Sequence, residues 1–264
     1  MKNIFKILNC LLIFTFVVLF TCACGKKQEP MDLYDSIQQR GKLVVGVSED
    51  IEPFGYKNDK GEFVGFEIDL ARLIAKNLLA DENKIEFVVV QPHNRISMLN
   101  SGQADMIIAT MSITPKRMNV VDFSEPYYFA GQTAIVNNNS NIKSISDLAN
   151  KRIGVAFGTT AYEGIKNVVP TASGIIGFKT YSEAIKALKE NEIDAFALDD
   201  TILIGYTLKD KTLRMLLHKY TQEPYGIAFR KGIESERTIA MVNNLLNAMK
   251  STGLMNAVKA KWLK

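Results

Sequence analysis

Residues 105–128 read DMIIATMSITPKRMNVVDFSEPYY, and the organisation of the rest of the chain follows from this stretch. Its apolar start, Met106–Ala109, predicts a buried strand. Thr110 and Ser112 come next, two residues apart, so an extended backbone would place both hydroxyls on one face. The stretch therefore predicts a strand that ends in two neighbouring hydroxyl groups.

The second half of the stretch predicts a short helix that begins beside those hydroxyls. Thr114 is a typical N-cap residue and Pro115 suits the first helical position, so Arg117 is expected in the first turn. A guanidinium matches the two oxygens of a carboxylate, and a helix start adds unpaired N–H donors. These groups predict a carboxylate-binding site at the end of the strand. In the alternative interpretation, Thr110 and Ser112 bond only to the backbone and Arg117 faces water.

Residues 1–24 have the pattern of a secretory signal. A lysine-containing start precedes the apolar run Ile7–Phe20, and small residues and cysteines follow. The cysteines favour lipoprotein processing, and we predict Cys24 as the lipidated residue because small residues flank it. Cys22 is the competing site, since a leucine stands three residues before it, and an uncleaved membrane anchor is a third interpretation. Residues 25–30 form a short polar tether.

The composition excludes several classes of site. All three cysteines lie in the leader, so the folded part is predicted to lack disulfides and cysteine metal sites. His93 and His218 alone make a poor zinc site, and no phosphate-binding loop or nucleophile elbow is present, so neither a metal nor a cofactor is expected. The formal charge is +4 and falls by the two leader lysines on processing, which gives no support to nucleic-acid binding.

The region after the tether alternates predicted strands and helices. In its first half, strands are predicted at 43–47, 85–90 and 105–109, and helices at 35–39, 65–79 and 95–100. This order indicates α/β architecture, with a parallel sheet, right-handed crossovers and helices on both faces. In such sheets ligands bind beyond the carboxyl ends of the strands, which is where Thr110 and Ser112 stand.

The second half repeats this plan. Strands are predicted at 153–156, 178–181, 195–198 and 225–229, and helices at 143–149, from 161, at 182–190 and at 239–263 with Gly253 interrupting. Asp199 follows the third of these strands and would suit an ammonium group, although it would equally suit a helix N-cap. Gly158–Thr160 would by themselves be explained as an ordinary loop and cap.

Several motifs together resemble one family. They are Gly65–Leu70 (GFEIDL), Ile113–Arg117 (ITPKR), Asp122–Tyr128 (DFSEPYY), Gly154-Val155 through Gly158–Thr160, Asp194-Ala195 with Asp199, and Tyr225–Ile227. On these motifs the chain after the tether is similar to the family 3 solute-binding proteins of ABC amino-acid importers. The resemblance implies a monomer that captures a free amino acid outside the cell membrane, held there by its lipid, and passes it to the importer permease. It also implies a protein that is not an enzyme.

The resemblance implies a two-lobe periplasmic-binding-protein fold, in which each lobe is a mainly parallel sheet flanked by helices. Lobe 1 is expected to contain residues 31–134 and 225–264, and lobe 2 residues 135–224. The two hinge segments are expected near Thr133–Val136 and near Glu223–Ala228.

The resemblance also assigns roles to the candidate residues. Arg117, with Thr110 and Ser112, would hold the α-carboxylate of the amino acid. Asp199 would take its α-ammonium group. The remaining candidates for contact with these ligand groups are Thr159, Thr160 and Tyr225.

Side-chain selectivity rests on fewer residues. Ser48 stands where members that bind basic amino acids tend to carry an acid. It also takes the place of a lysine that members binding aspartate and glutamate carry near the first strand, so that lysine has no counterpart here. Arg95 stands where members that bind aspartate and glutamate carry an arginine for the distal carboxylate. An acidic ligand is therefore expected, with glutamine next, unless Arg95 is only a surface helix residue.

Two other functions stay open at this stage. Some exported dehydratases share the implied fold, but they carry glutamate where this chain has Asp199. A sensor module would usually continue into a membrane span and a cytoplasmic domain, whereas this sequence ends at Lys264.

Overall fold

The computed structural model of the protein describes residues 31–263. The predicted signal segment 1–24, including the lipidation candidate Cys24, and the tether 25–30 lie outside the described residues. Within the described part, no helix is both long enough and apolar enough to cross a membrane. The fold begins at a helix that Asp32 caps with its side chain.

The first part of the chain builds one sheet and the helices that cover it. It contains α1 (Leu33–Arg40), β1 (Leu43–Val47), the short antiparallel strands β2 (Asp50–Ile51), β3 (Gly55–Lys57) and β4 (Phe63–Val64), α2 (Phe66–Leu79), β5 (Ile85–Val89), α3 (Arg95–Asn100), β6 (Met106–Ile107), α4 (Pro115–Met118) and β7 (Val121–Phe123).

The second part builds another sheet and then returns to the first. It contains β8 (Tyr128–Ala130), β9 (Gln132–Asn137), a 3₁₀ turn (Ile145–Leu148), β10 (Arg152–Ala156), α5 (Ala161–Val168), β11 (Gly174–Phe178), α6 (Tyr181–Lys189), β12 (Ala195–Asp199), α7 (Asp200–Lys209), β13 (Leu213–Met215), β14 (Glu223–Tyr225), β15 (Ala228–Arg230), α8 (Ile233–Ser251) and α9 (Leu254–Trp262).

Each sheet has five strands, and both are mixed rather than wholly parallel. The first has the order β5-β1-β6-β15-β7, and only β15 runs antiparallel to its neighbours. The second has the order β11-β10-β12-β9-β13, in which β9 is antiparallel to β12 and β13. We call the first sheet with its helices lobe 1 and the second sheet with its helices lobe 2.

The chain passes between the lobes along a separate two-stranded ladder. In this ladder β8 pairs antiparallel with β14, so that Tyr128 faces Tyr225. The first crossing was expected near Thr133–Val136, and that position is wrong, because those residues lie inside β9 and pair with β12. Both crossings therefore lie side by side and are joined by main-chain hydrogen bonds.

The core follows the apolar periodicity of the sequence. Helix α2 belongs to lobe 1 and buries one continuous apolar stripe, which is formed by Phe66, Leu70, Ile74 and Leu78. Burying side chains of this size contributes about 1.5–3 kcal/mol each, which holds the helix to the sheet. Glu67 is fully buried beside the same stripe, and an acid in that position needs hydrogen-bond partners.

Two predicted strands differ from the structure near candidate site residues. The strand expected over 105–109 is confined to β6, and Thr110 has φ of +44°, so it does not continue an extended segment. The strand expected over Phe178–Tyr181 is also wrong. The strand β11 ends at Phe178, and Tyr181 begins α6 because Thr180 caps that helix, accepting a hydrogen bond from Glu183 N at 3.2 Å.

Three further predictions need adjustment. The helix expected at 143–149 is only a 3₁₀ turn. The strand expected at 225–229 is divided at 226–227, because its first part belongs to the ladder and its second part to the sheet of lobe 1. The helix expected from residue 239 begins earlier, at Ile233, and Gly253 separates α8 from α9.

Candidate functional site

The candidate residues come from the carboxyl ends of strands in both lobes. In lobe 1, Thr110 and Ser112 follow β6 and lead to α4. In lobe 2, Asp199 is the last residue of β12, and the loop Gly158–Thr160 joins β10 to α5. Tyr225 ends β14 in the crossing ladder and forms an isolated bridge with Ser112. Parallel strands thus bring residues that are far apart in sequence to facing edges.

Arg117 lies between the two lobes. The hydroxyl of Thr114 accepts a hydrogen bond from Arg117 N at 3.2 Å, which confirms the predicted helix cap. The guanidinium Nη1 donates to Ser112 O at 2.7 Å, and Nη2 donates to Gly158 O at 2.8 Å. Burial, and then the charge of Arg95, lowers the pKa of Arg117 to about 9. A cation held this way is poorly solvated and favours an anionic partner.

Arg95 is the second buried cation of the site. It is only 3% exposed, so it is not a surface residue. Its Nη1 donates to Ala109 O at 2.6 Å, and its Nη2 makes a long hydrogen bond of 3.4 Å to Gly158 O. Burial lowers its pKa. Among the described residues, neither Arg95 nor Arg117 has a carboxylate within ion-pair distance.

Asp199 is the buried anion that faces these cations. Its Oδ2 accepts a hydrogen bond from the Tyr225 hydroxyl at 2.6 Å, and that hydroxyl also lies 2.7 Å from Thr201 Oγ1. Burial, and then the charge of Glu223, raises the pKa of Asp199 to about 7, against the opposing effects of Tyr225 and Arg117. Its side chain makes no cap hydrogen bond to α7, so helix capping does not account for this acid.

The two hydroxyls of the Gly158–Thr160 loop differ in what they contact. Thr160 Oγ1 donates to Glu223 Oε2 at 2.9 Å and accepts from Gln132 Nε2 at 2.7 Å, so it reaches the crossing ladder. Thr159 Oγ1 instead donates to Ala156 O at 2.7 Å within its own turn. The structure thus brings Thr160 to the groups around Asp199 and leaves the Thr159 hydroxyl in a local hydrogen bond.

Ser48 lies at the same edge of the lobe 1 sheet, directly after β1. Its side chain is buried, but it makes no hydrogen bond to any other candidate residue in the part of the chain that the structure describes. The structure therefore places Ser48 near the site without joining it to the hydrogen-bonded group.

Thr110 has a strained backbone that other residues hold. A φ of +44° is uncommon for a β-branched residue and costs on the order of 1 kcal/mol or more. Its N–H donates to Glu67 Oε1 at 2.7 Å, and the Tyr127 hydroxyl donates to the same oxygen at 2.5 Å. Burial raises the pKa of Glu67 to about 7, although both hydrogen bonds and the charge of Arg95 oppose that rise.

Four residues of this network were not among the sequence candidates, namely Glu67, Tyr127, Gln132 and Glu223. One of them left a signal in the sequence. Glu67 precedes Ala71 and Ile74 at helical spacing, so it falls on the face of α2 that buries apolar side chains. An acid on such a face indicates a buried polar contact. The other three gave no such signal, because their partners are distant in sequence.

The arrangement can bind a small zwitterion. Arg117 and Asp199 carry opposite charges, come from different lobes and are both buried, yet they form no ion pair with one another.

Residues 43–264 match the family of bacterial extracellular solute-binding proteins, family 3. The chain belongs to this family. The family resemblance noted in the sequence is confirmed, and the description of this family supports an exported protein.

Relatives of this solute-binding protein are named for amino acids. It is 42% identical to a glutamine-binding protein of Geobacillus stearothermophilus, over 75% of this chain and 76% of that protein. It is 38% identical to the ABC transporter glutamine-binding protein GlnH of Bacillus subtilis, over 98% of this chain and 97% of that protein. A solved structure of an ancestral arginine-binding protein bound to glutamine is 37% identical, with a TM-score of 0.77 over 85% of this chain and 98% of that one.

These likenesses have two consequences for the solute-binding protein described here. They support capture of an amino acid and its import through an ABC transporter. Together with the two sheets, they confirm the predicted two-lobe α/β fold.

Proposed function

We propose that this protein captures free glutamine outside the cell membrane and delivers it to the permease of an ABC importer. One observation carries the amino-acid part of this proposal. Arg117 and Asp199 are opposite charges, buried at one place without pairing, and a zwitterionic amino acid would satisfy both. In this arrangement Arg117 receives the α-carboxylate, and Asp199 receives the α-ammonium group.

The remaining candidates surround these two charges. Ser112 is linked to Arg117 through its carbonyl oxygen and to Tyr225 through the bridge, so its main chain is held beside the guanidinium that would bind the carboxylate. Thr110 belongs to the same turn. Thr160 meets the ladder residue Glu223 and contributes from lobe 2. Closure of the two lobes over the amino acid would then bury it together with these groups.

The charges of the site favour an amide side chain over an acidic one. Two buried cations, Arg95 and Arg117, stand with three buried carboxyl groups, those of Glu67, Asp199 and Glu223. The pKa of Asp199 and that of Glu67 are both raised to about 7, which means that ionisation of these two carboxyl groups is already unfavourable in the site. A second ligand carboxylate would add to this excess, whereas glutamine adds no net charge.

The sequence led us to expect an acidic ligand with glutamine second, and the proposal reverses that order. Besides the charge count, the contacts of Arg95 support the change. Its Nη1 already donates to Ala109 O at 2.6 Å, so the guanidinium has a main-chain partner. The names of the Geobacillus and Bacillus relatives agree with glutamine.

The direct test is a ligand screen with full-length protein purified in detergent. Thermal unfolding is measured with each common amino acid, and calorimetry then gives the affinities for glutamine, glutamate, aspartate and arginine. A ligand at about a thousand times its Kd adds roughly 4 kcal/mol of stability, which such a screen detects easily. We expect glutamine to bind at least about tenfold more tightly than the other three. Tighter binding of glutamate or arginine would refute glutamine and keep amino-acid capture, and no binding of any amino acid would refute both.

A lipid on Cys24 is the second part of the proposal. The apolar run of the leader and the cysteines after it support processing as a lipoprotein. Such an anchor would keep the protein at the outer face of the cell membrane, close to its permease. We propose a monomer, because one chain supplies both lobes and every candidate residue.

A further inference from the structure

The peptide group between Ala109 and Thr110 is held at both ends by buried side chains, an arginine at its oxygen and a glutamate at its N–H. Arg95 Nη1 donates to the Ala109 carbonyl oxygen at 2.6 Å, and the Thr110 N–H donates to Glu67 Oε1 at 2.7 Å. Both charged side chains are buried, Arg95 with 3% exposure and Glu67 with none. Within residues 31–263 they form no direct ion pair. The arginine and the glutamate are therefore linked through a single peptide unit.

Glu67 is itself fixed in place. It lies in the first turn of α2, where a helix start favours a negative charge. Tyr127 donates a second hydrogen bond to Glu67 Oε1 at 2.5 Å, and its ring packs at 6.1 Å from that of Phe66. A carboxylate anchored by a helix and a buried tyrosine cannot follow Thr110 if that residue moves, so it acts as a fixed point.

The Glu67 carboxylate contacts the strained residue of the site, Thr110. Thr110 has φ of +44°, a conformation that threonine rarely adopts and that surrounding structure must enforce. Holding the peptide plane that precedes Thr110 at its oxygen and at its N–H restricts rotation of the chain there. The direction of the following residues, including Ser112 and its bridge to Tyr225, then depends on this peptide.

We propose that Glu67 and Arg95 form a clamp on the 109–110 peptide, and that the clamp holds Thr110 in its left-handed conformation ready for the ligand. Glu67 is a positioning residue in this clamp, because it acts on the ligand only through Thr110. The inference rests on the proposed function, since it concerns how the amino-acid site is shaped. It also gives Arg95 a role common to all ligands instead of a role in choosing between acids and amides.

A double-mutant cycle tests the clamp with full-length protein and calorimetric titration of glutamine. Glu67→Leu removes the acceptor of the Thr110 N–H, and we expect affinity to fall about tenfold or more. Thr110→Gly places a residue that adopts positive φ without strain. In the Thr110→Gly background, Glu67→Leu should therefore cost less than about threefold. Glu67→Gln keeps an acceptor oxygen for the Thr110 N–H but places an amide NH2 where Glu67 Oε2 has no partner, so its loss should be smaller than that of Glu67→Leu.

Two comparisons separate positioning from general destabilisation. Ile74→Val trims a fully buried side chain on the same helix and should lower the unfolding midpoint while leaving the glutamine affinity unchanged. If Glu67→Leu does not fold, Tyr127→Phe is compared in the same two backgrounds, since it removes the second donor to Glu67. Equal losses with Thr110 and with Gly at this position would overturn the clamp, and so would a Glu67→Gln loss as large as that of Glu67→Leu. Absence of amino-acid binding by wild type would instead refute the proposed function.

Discussion

Gly205 lies against the main-chain carbonyl of Glu52, so closely that a Cβ added to Gly205 would stand 2.5 Å from that oxygen. Glu52 belongs to lobe 1, and Gly205 lies inside helix α7 of lobe 2. The Glu52 carboxylate also pairs with Lys209 Nζ, four residues further along the helix, at 2.6 Å. Glycine in a helix interior costs about 1 kcal/mol relative to alanine, and here it permits the two lobes to meet.

Gly205→Ala should weaken glutamine binding without weakening the fold. The added methyl keeps the lobes slightly apart, so we expect an affinity loss of about tenfold, measured by calorimetry. The free energy of unfolding without ligand, from chemical denaturation, should stay constant or rise by up to about 1 kcal/mol, because alanine favours the helix. Gly174→Ala is the matched control, since a Cβ there meets nothing within 4 Å. Wild-type affinity in both alanine variants would show that this contact does not limit closure.

Arg117→Ala should abolish binding of every amino acid rather than change the preference among them. The guanidinium joins Ser112 of lobe 1 to Gly158 of lobe 2 and is the cation that we propose for the α-carboxylate, which all amino acids share. Removing one partner of a buried charge pair costs about 2–5 kcal/mol. Arg237→Ala serves as control, because Arg237 forms an exposed pair with Asp35 at 3.0 Å. A loss of less than about threefold in a calorimetric titration would remove Arg117 from the site.

Binding should depend on pH through Asp199. Its pKa is raised to about 7, and an ammonium partner favours the ionised form, so binding below that pH must release a proton. Affinity should therefore fall as pH falls below about 7, approaching tenfold per pH unit, and level off above it. Asp199→Asn should bind weakly and without this slope. Calorimetry at several pH values, in buffers of different ionisation enthalpy, measures both the affinity and the proton release, and a flat wild-type profile would contradict this role.

Arg95→Met should weaken glutamine and glutamate by the same factor, within about threefold of one another. Its guanidinium bonds to the Ala109 carbonyl, and in the proposed clamp this contact shapes the part of the site that all amino acids would share. Competition titrations against glutamine measure ligands that bind weakly. A selective loss of glutamate would show that Arg95 faces the ligand side chain, as the sequence-based hypothesis of an acidic ligand requires.

Replacing Cys24 with serine should release the protein from the membrane. Stable attachment is expected because a lipoprotein anchor carries more than one acyl chain, and a single chain binds only marginally. Fractionation of cells that express the wild type, Cys24→Ser or Cys22→Ser shows which cysteine matters. Retention of Cys24→Ser together with release of Cys22→Ser would move the anchor to Cys22.

Local patterns in the sequence were enough to predict the parts of the site that depend on neighbouring residues. Thr114 and Pro115 specify the start of α4 and hence place Arg117, because caps act over three or four residues. The apolar stripe of α2 likewise follows from helical spacing. The end of β12 placed Asp199 correctly at an edge of a sheet.

The features that could not be predicted from the sequence depend on contacts between residues that are far apart in the chain. Thr110 has a left-handed backbone, and the peptide before it bonds to Glu67 and Arg95, which lie 43 and 14 residues from the groups they hold. The two-residue spacing of Thr110 and Ser112 carries no information about such distant partners. For that reason it predicted an extended segment. The antiparallel insertion of β15 between β6 and β7 also depends on a chain that returns from the other lobe.

That insertion sets the order in which the two sheets can be completed as the chain emerges from its N-terminus. All strands of the lobe 2 sheet lie between residues 132 and 215, so an emerging chain contains this entire sheet before its last fifty or so residues appear. The lobe 1 sheet, although it starts first, lacks an internal strand until Ala228–Arg230 emerges. Until then β6 and β7 expose unpaired edges, which are the parts of a sheet most prone to pair wrongly. The half of the protein that is begun first is therefore the half that is completed last.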